Sequence, residues 1–504
     1  MSATSVAPGR TGHEDGSDPE RARQVVDAAL SAGSEVAEVY MKSVAFMRCE
    51  VGSRGVRSLQ RGEESGIALR VWGGGGRHGF VHVDGWARWP AARLAAWAVA
   101  SSSHHPGGLV PRLPQGEEVG SPVREAALGL GPSARGDDAR GRRWGPIEEG
   151  GLREWAEGLV AAFSRRQRSA IRLEEGWIES GLTRTVIVNS LGGRASFAGP
   201  LGSVGVRVVG GRNPGPGATT RYVSRFGGTD RPDPGLLAEG ASWRAAASIG
   251  GGPASGRSIR VLLEPRAAAA WLRSIVPFFV RGRSGGATDP EVGFEPKPGF
   301  CLVDDPWFQE ERETSDPSRR RPPVMEKMEG GDGRPHVSPF DGEGRKLRTR
   351  ILIKDGVPAD FYGDSADPDL PDEMLGSMRR DSYRDPPVPG PSNLFVKPAE
   401  HGRGHIIEQL DRGLFVTAMS PLSAPGSRSL IAEVRGIWVE KGKARRPVAR
   451  TLLKIPSLGA LNRIVTWGSD LEFDPAGLPV GAPSILFDGA ELVPMGSVSG
   501  RRPL

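Results

Sequence analysis

His401-Gly-Arg-Gly-His405 is the first place in this sequence to look for chemistry, because two histidines four apart on a helix face one way and can share a zinc ion. Two of the three intervening residues are glycine, the third is Arg403, and Pro398 lies just upstream. Glycines resist a rigid helical turn and a cation beside the metal opposes binding. The segment therefore reads as a loop that enters a helix at Ile406. Paired carboxylates occur at Asp304-Asp305 and at Asp341-Gly-Glu343, and such pairs suit acid–base work or a hard cation. Their proline and glycine neighbours make turn-forming hydrogen bonds the plainer reading. There is no Gly-x-Ser-x-Gly elbow, and Trp72-Gly-Gly-Gly-Gly76 has no helix behind it to receive a phosphate. Residue types alone define no active site.

The elements that would position these groups fall into two halves. Residues 1–19 are small and polar and read as a disordered tail. From Glu20 to Ala32 one helical stripe carries Ala22, Val25, Val26, Ala29 and Leu30, and Gly33 ends it. Short alternating segments follow at 35–42, 45–50, 56–61, 66–72 and 77–83, separated by glycine-containing turns, and 87–101 returns to helix. The unit 20–101 is thus the first part of an N-terminal α+β domain, and 102–150 is a linker or insertion with little periodicity. Residues 151–250 form the central part of the same half: a helix at 151–166, five strand segments, and a helix near 233–248. The glycine-rich stretch 250–255 marks the main boundary.

From 256 to 504 the pattern is mainly β, with a helix opened by Pro265, a short helix at 406–410, and a hairpin at Gly442. The expected fold class is α+β in two domains. The first half is α/β-sandwich-like, and the second is mainly antiparallel β with a few helices. Unbroken apolar spans long enough for a membrane are absent, as is a leader-like apolar start, and only Cys49 and Cys301 occur. A cytoplasmic protein is expected. The net charge of +6 raises the question of nucleic acid. Basic residues are interleaved with acids and do not coincide with aromatics, so no nucleic-acid partner is expected, and no membrane partner either.

The order of several phrases resembles the TldD/PmbA family, bacterial and archaeal proteins linked to zinc-dependent peptide processing. The carriers in the first half are Ala29-Leu-Ser-Ala-Gly-Ser-Glu35 and Gly62-Glu-Glu-Ser-Gly-Ile-Ala-Leu-Arg-Val71. In the second half they include Val261-Leu-Leu-Glu-Pro265, Leu302-Val-Asp-Asp-Pro306, Pro339-Phe-Asp-Gly-Glu-Gly344, Gly413-Leu-Phe-Val-Thr417 and Gly468-Ser-Asp-Leu471. The likeness runs through residues 20–95 and 150–495; the insertions 102–150 and 307–338 lie outside it.

In that family the TldD-like members carry His-Glu-x-x-x-His on the helix after the strand that ends in Pro265, with a late cysteine as a further zinc ligand. Laid on this chain, the motif falls on Arg273, Ser274 and Phe278, and the stretch after Asp470 has no cysteine. The resemblance therefore implies a PmbA/TldE-like member without catalytic residues, metal or cofactor of its own. It also implies a heterodimer with a TldD-like subunit that holds the zinc, or else a homodimer, acting on unfolded or leader peptides. Asp304, Asp305, Asp341 and Glu343 are candidate cleft residues, and Arg273 is expected either to point into the cleft, pairing with an acid such as Asp304, Asp305 or Glu343 or contacting the substrate, or to lie along the surface as a snorkelling arginine. Two other readings stay open: a stand-alone scaffold or regulator without proteolysis, and a metallopeptidase whose ligands have moved to His401, His405, Asp304, Asp305 or Asp341.

Overall fold

The computed structural model describes residues 17–102, 109–116, 118–120, 136–137, 143–144, 147–165, 171–210, 219–226, 232–281, 296–306, 308, 338–474 and 480–495. Residues 1–16 of the proposed tail, most of the 102–150 insertion and nearly all of 307–338 lie outside them, while 17–19, read as tail, open the first helix.

The first half is one twisted sheet. Its strands run Arg77–Asp84, Gly55–Gly73, Val36–Gly52, Ile171–Asn189 and Arg194–Gly210, with Thr219–Phe226 and the short Glu118–Gly120 both added to the last. Four long strands stand where the sequence suggested eight short ones. Gly62 and Gly181 account for two of the four. Both sit opposite Phe46 in mid-strand; a Cβ at Gly62 would come within 2.4 Å of the Phe46 ring, and one at Gly181 within 2.1 Å of the Ala45 carbonyl oxygen. Gly62 makes room for a cross-strand aromatic ring and Gly181 for the close approach of the neighbouring backbone; neither turns the chain.

Alternation along the strands gives each face its own partner. Val39, Met41, Ile67, Leu69, Val186 and Val188 face helices α1 (Ser17–Ser31) and α2 (Ala91–Ser102). Farther along the same strands, Cys49, Val51, Ile178, Val204 and Val206 face α3 (Glu149–Arg165) and α4 (Pro234–Ala246), whose Leu152, Trp155, Leu159 and Leu237 complete that core. On the opposite face Tyr40, Ala68, Ile187 and Ala195 are covered by Phe340 and Tyr383 from the second half. A sheet buried on both sides at this end explains how charged residues there come to be sealed from water.

In the second half, five strands close a ring. Gly256–Leu263 pairs in parallel with Arg412–Pro421 on one side and antiparallel with Ile485–Pro494 on the other, and Ser429–Glu440 and Lys443–Pro456 complete the circuit. The Gly442 hairpin is tight, with Lys441 and Gly442 both at positive φ. A second, mixed sheet runs Val357–Pro358, Arg350–Lys354, Leu302–Asp304, Leu394–Val396, Val480–Ala482 and Glu472–Asp474. Helix α5 (Pro265–Ile275) lies between ring and sheet and is buried on almost every side, in contact with Val261, Leu263, Leu414, Val416, Leu302, Leu394 and Val480 in one cluster. The stretch 250–255 does not run free: Gly252 bridges Val448, and the Ala254 N–H donates to Thr451 Oγ1 at 2.9 Å. Among the described residues no helix is long and apolar enough to cross a membrane.

Candidate functional site

Helix α5 forms because Pro265 supplies a preset φ at its first turn and four successive alanines, Ala267 to Ala270, let it pass between two sheets. A 3-10 turn, Val276–Phe279, follows it, where Pro277 interrupts the α-helical bonding. The three positions singled out by the zinc motif sit at its end. Arg273 Nη1 donates to Asp474 Oδ2 at 2.6 Å and Nη2 to the Asp474 carbonyl at 2.7 Å. Its partner is therefore Asp474, not Asp304, Asp305 or Glu343. The reason is the sheet: Glu472–Asp474 is the edge strand on which α5 packs, whereas Asp304 is three strands away, roughly 14 Å at ordinary strand spacing. Ser274 Oγ donates to the carbonyl of Trp271 at 2.6 Å, and Phe278 packs half-buried on the main core.

A guanidinium has no lone pair to give, a phenyl ring has none, and the serine hydroxyl is committed to its own helix. These residues do not fit a zinc ion. Among the described residues no group of three His, Cys, Asp or Glu side chains is placed to hold a metal.

Around the Arg273–Asp474 pair lies a larger charged network. Glu472 contacts Arg266 and also Arg244, at 3.3 Å, and Arg244 Nε donates to Glu264 Oε1 at 2.9 Å. Arg403 meets Asp470 at 2.6 Å, and Asp470 also accepts from the Ser484 N–H and hydroxyl. Burial pushes the Glu472 carboxyl up, but Arg266 and Arg244 outweigh it and bring it down to about 2. Glu264 goes the other way: burial raises it against the pull of Arg244, and its Oε2 has no hydrogen-bond partner. The network fixes the start of α5, α4 and the edge strand as one charged seam.

A second cluster joins the halves. Glu38, fully buried on the sheet face that meets the second half, accepts from Arg70 Nε at 3.1 Å and Nη2 at 2.7 Å. Arg70 Nη2 also reaches Glu343 Oε1 at 2.7 Å, and Arg380 pairs with Glu38 from the other side. The Arg380 guanidinium lies 4.8 Å above the Tyr40 ring. Burial raises the Glu343 carboxyl and depresses the Arg380 guanidinium, each held against that trend by its opposite charge. Glu38 and Arg70 escaped sequence reasoning. The available signal was a charge at an inward position of each of two apolar strands, which are direct partners in the sheet.

The four candidate cleft acids do not converge. Asp304 Oδ1 accepts the Ser392 hydroxyl at 2.7 Å and the Asn393 N–H at 2.5 Å, tying one turn. Asp341 accepts the N–H groups of Glu343, Arg345 and Met378, tying another. Asp305 takes the Thr349 hydroxyl at 2.9 Å near the surface, and Glu343 belongs to the cluster between the halves. His401 and His405 have ring centroids 4.6 Å apart, and His405 bonds Gln409. The loop expected up to residue 405 is shorter than read, because α6 (Arg403–Leu410) begins at Arg403 with Gly402 as its cap.

Residues 323–493 match the PmbA/TldA metallopeptidase C-terminal domain. Over 138 residues the chain is 26% identical to a metalloprotease TldD homolog of Buchnera aphidicola subsp. Schizaphis graminum, a stretch covering 27% of this chain and 29% of that protein. A second metalloprotease TldD homolog, from Buchnera aphidicola subsp. Acyrthosiphon pisum, is 24% identical over the same length. The chain thus spans less than a third of the length of these relatives in the matched region. In fold it is similar to TldE from Thermococcus kodakarensis, with a TM-score of 0.70, 14% identity, and 94% of this chain and 100% of that chain covered.

Proposed function

This chain belongs to the TldD/PmbA family, and we propose that it acts there as a catalytically silent, PmbA/TldE-like subunit of a zinc-peptidase complex. The partner is a TldD-like chain that holds the zinc, the substrate is an unfolded or leader peptide, and the compartment is the cytoplasm. One observation carries this reading. Where the family's zinc helix would present ligands, this chain has Arg273 bonded to Asp474, an ion pair between that helix and the stretch that would supply the cysteine. The helix and the edge strand are linked by charge in place of a metal bridge. What remains for the chain to contribute is surface: a wall for the chamber in which the partner's zinc works.

The test uses this chain, a TldD-like chain with intact His-Glu-x-x-x-His, and their mixture, each incubated with unfolded casein, with metal content measured for each. The expected result is no cleavage and no stoichiometric zinc for this chain alone, and faster cleavage by the mixture than by the zinc chain. Proteolysis by this chain alone, or one zinc held per chain, would overturn the reading.

A further inference from the structure

The helices on the first sheet differ in what they turn outward. Helix α4 passes Trp243 and Arg244 to the second half, whereas α1, α2 and α3 each keep one side free. On that side α1 shows Glu20, Arg23, Gln24 and Asp27, and α3 shows Arg153, Glu154, Glu157 and Arg165. Helix α2 shows Ala92, Arg93, Ala96, Trp97 and Ala100. Its inner residues, Leu94, Ala95 and Ala98, are sealed in the core. Apart from Arg93 and the closing serines, the helix is apolar on every side, a pattern that belongs to helices covered all round. Trp97 is 36% exposed and stands edge-on to Trp89, with ring centroids 5.3 Å apart. The Trp89 indole N–H is tied to the Asp84 carbonyl at 3.2 Å. The Arg93 guanidinium lies 4.8 Å from the Trp97 ring and 5.6 Å from the Trp89 ring, and among the described residues it has no acidic partner.

Rigid aromatic rings and an arginine already held in place are what the centre of a protein interface uses, and flat alanines beside them let another surface come close. Charge decides which chain fits. A symmetric pairing of two copies through α2 would bring the two Arg93 side chains together, and the outward side of the helix has no acid to offer either one. A different chain can set a carboxylate opposite Arg93 and an apolar ridge along the alanines. We propose that the outward side of α2 is the surface on which the TldD-like subunit docks, through such a ridge and carboxylate. This rests on the subunit reading above and adds to it the surface used and the preference for a non-identical partner.

Sedimentation of the full chain mixed with a TldD-like chain carrying intact His-Glu-x-x-x-His measures assembly. Ala96→Arg, which puts a bulky charge on the flat part of the face, should weaken it about tenfold or more, and so should Arg93→Glu. Gln24→Arg, a matched change on the outward side of α1, should leave it within about twofold. All three positions are exposed, so each variant should keep the circular dichroism and unfolding temperature of the unaltered chain. If Ala96→Arg does not fold, Arg93→Glu decides. No assembly of the unaltered pair overturns the subunit reading and this surface with it. Assembly that neither α2 substitution weakens overturns the surface alone. Self-association of this chain, or binding of a single-stranded oligonucleotide, that Ala96→Arg abolishes would give the face to another occupant and overturn the proposal.

Discussion

The two charged clusters are built from the same residue types yet do different work. In the seam beside α5, the Arg273–Asp474 pair keeps some solvent, at 17% and 15% exposed, while Arg244 and Glu264 behind it are sealed. In the cluster between the halves, Glu38 and Arg380 are 0% and 1% exposed, and loops from one half press the charges onto the sheet of the other. Solvent can partly compensate the loss of the Arg273–Asp474 pair and cannot compensate the loss of Glu38–Arg380. Charge in the seam orients a helix against a strand. Charge between the halves ties loops of the second half to the sheet of the first.

The sharpest way to break this contrast is Glu38→Gln. It leaves Arg70 and Arg380 buried beside a neutral amide, and a loss of about 3–5 kcal/mol is expected, read from the urea midpoint. A loss no larger than that of a surface substitution would mean the cluster does not hold the halves. Arg273→Ala should cost less, about 1–2 kcal/mol, because both partners reach water. A double-mutant cycle with Asp474→Ala should recover a coupling of about 1 kcal/mol, and additivity of the two substitutions would dissolve the pair as an energetic unit.

A further effect is a pH slope. Glu472 is depressed to about 2 in the folded chain. Its contribution is complete above an unfolded glutamate's range of about 4.3, and it is lost as pH falls through the folded value. Glu472→Gln should flatten that part of the acid limb of the stability curve. An unchanged limb would place the acid sensitivity elsewhere.

Local signals in the sequence were readable where one residue decides the outcome. Gly33 at φ +99° ends α1, Gly442 turns the hairpin, and Pro265 opens α5. The α+β class and the position of Arg273 on a helix were legible for the same reason. Strand lengths were not, since a glycine that yields to Phe46 looks identical to one that turns the chain. Nor was the Arg273–Asp474 pair, whose partners are 201 residues apart. Adjacent carboxylates mislead: Asp304 and Asp341 tie turns, while Glu343 pairs with Arg70 of the other half. The carboxylate at the heart of the molecule, Glu38, stands alone between Ala37 and Val39.

The ring of strands in the second half has a consequence for how the chain is made. Gly256–Leu263 emerges from the ribosome long before its antiparallel neighbour: Arg260 and Asp488, which meet across that seam, are 228 residues apart. At ordinary elongation rates of roughly 5–20 residues per second, one edge of that early strand waits for tens of seconds with its N–H and C=O groups unclaimed. During that interval another nascent copy can offer the same hydrogen bonds. Synthesis at high density should therefore favour strand-exchanged assemblies, and slower initiation or a bound chaperone should suppress them without altering a single contact of the finished fold.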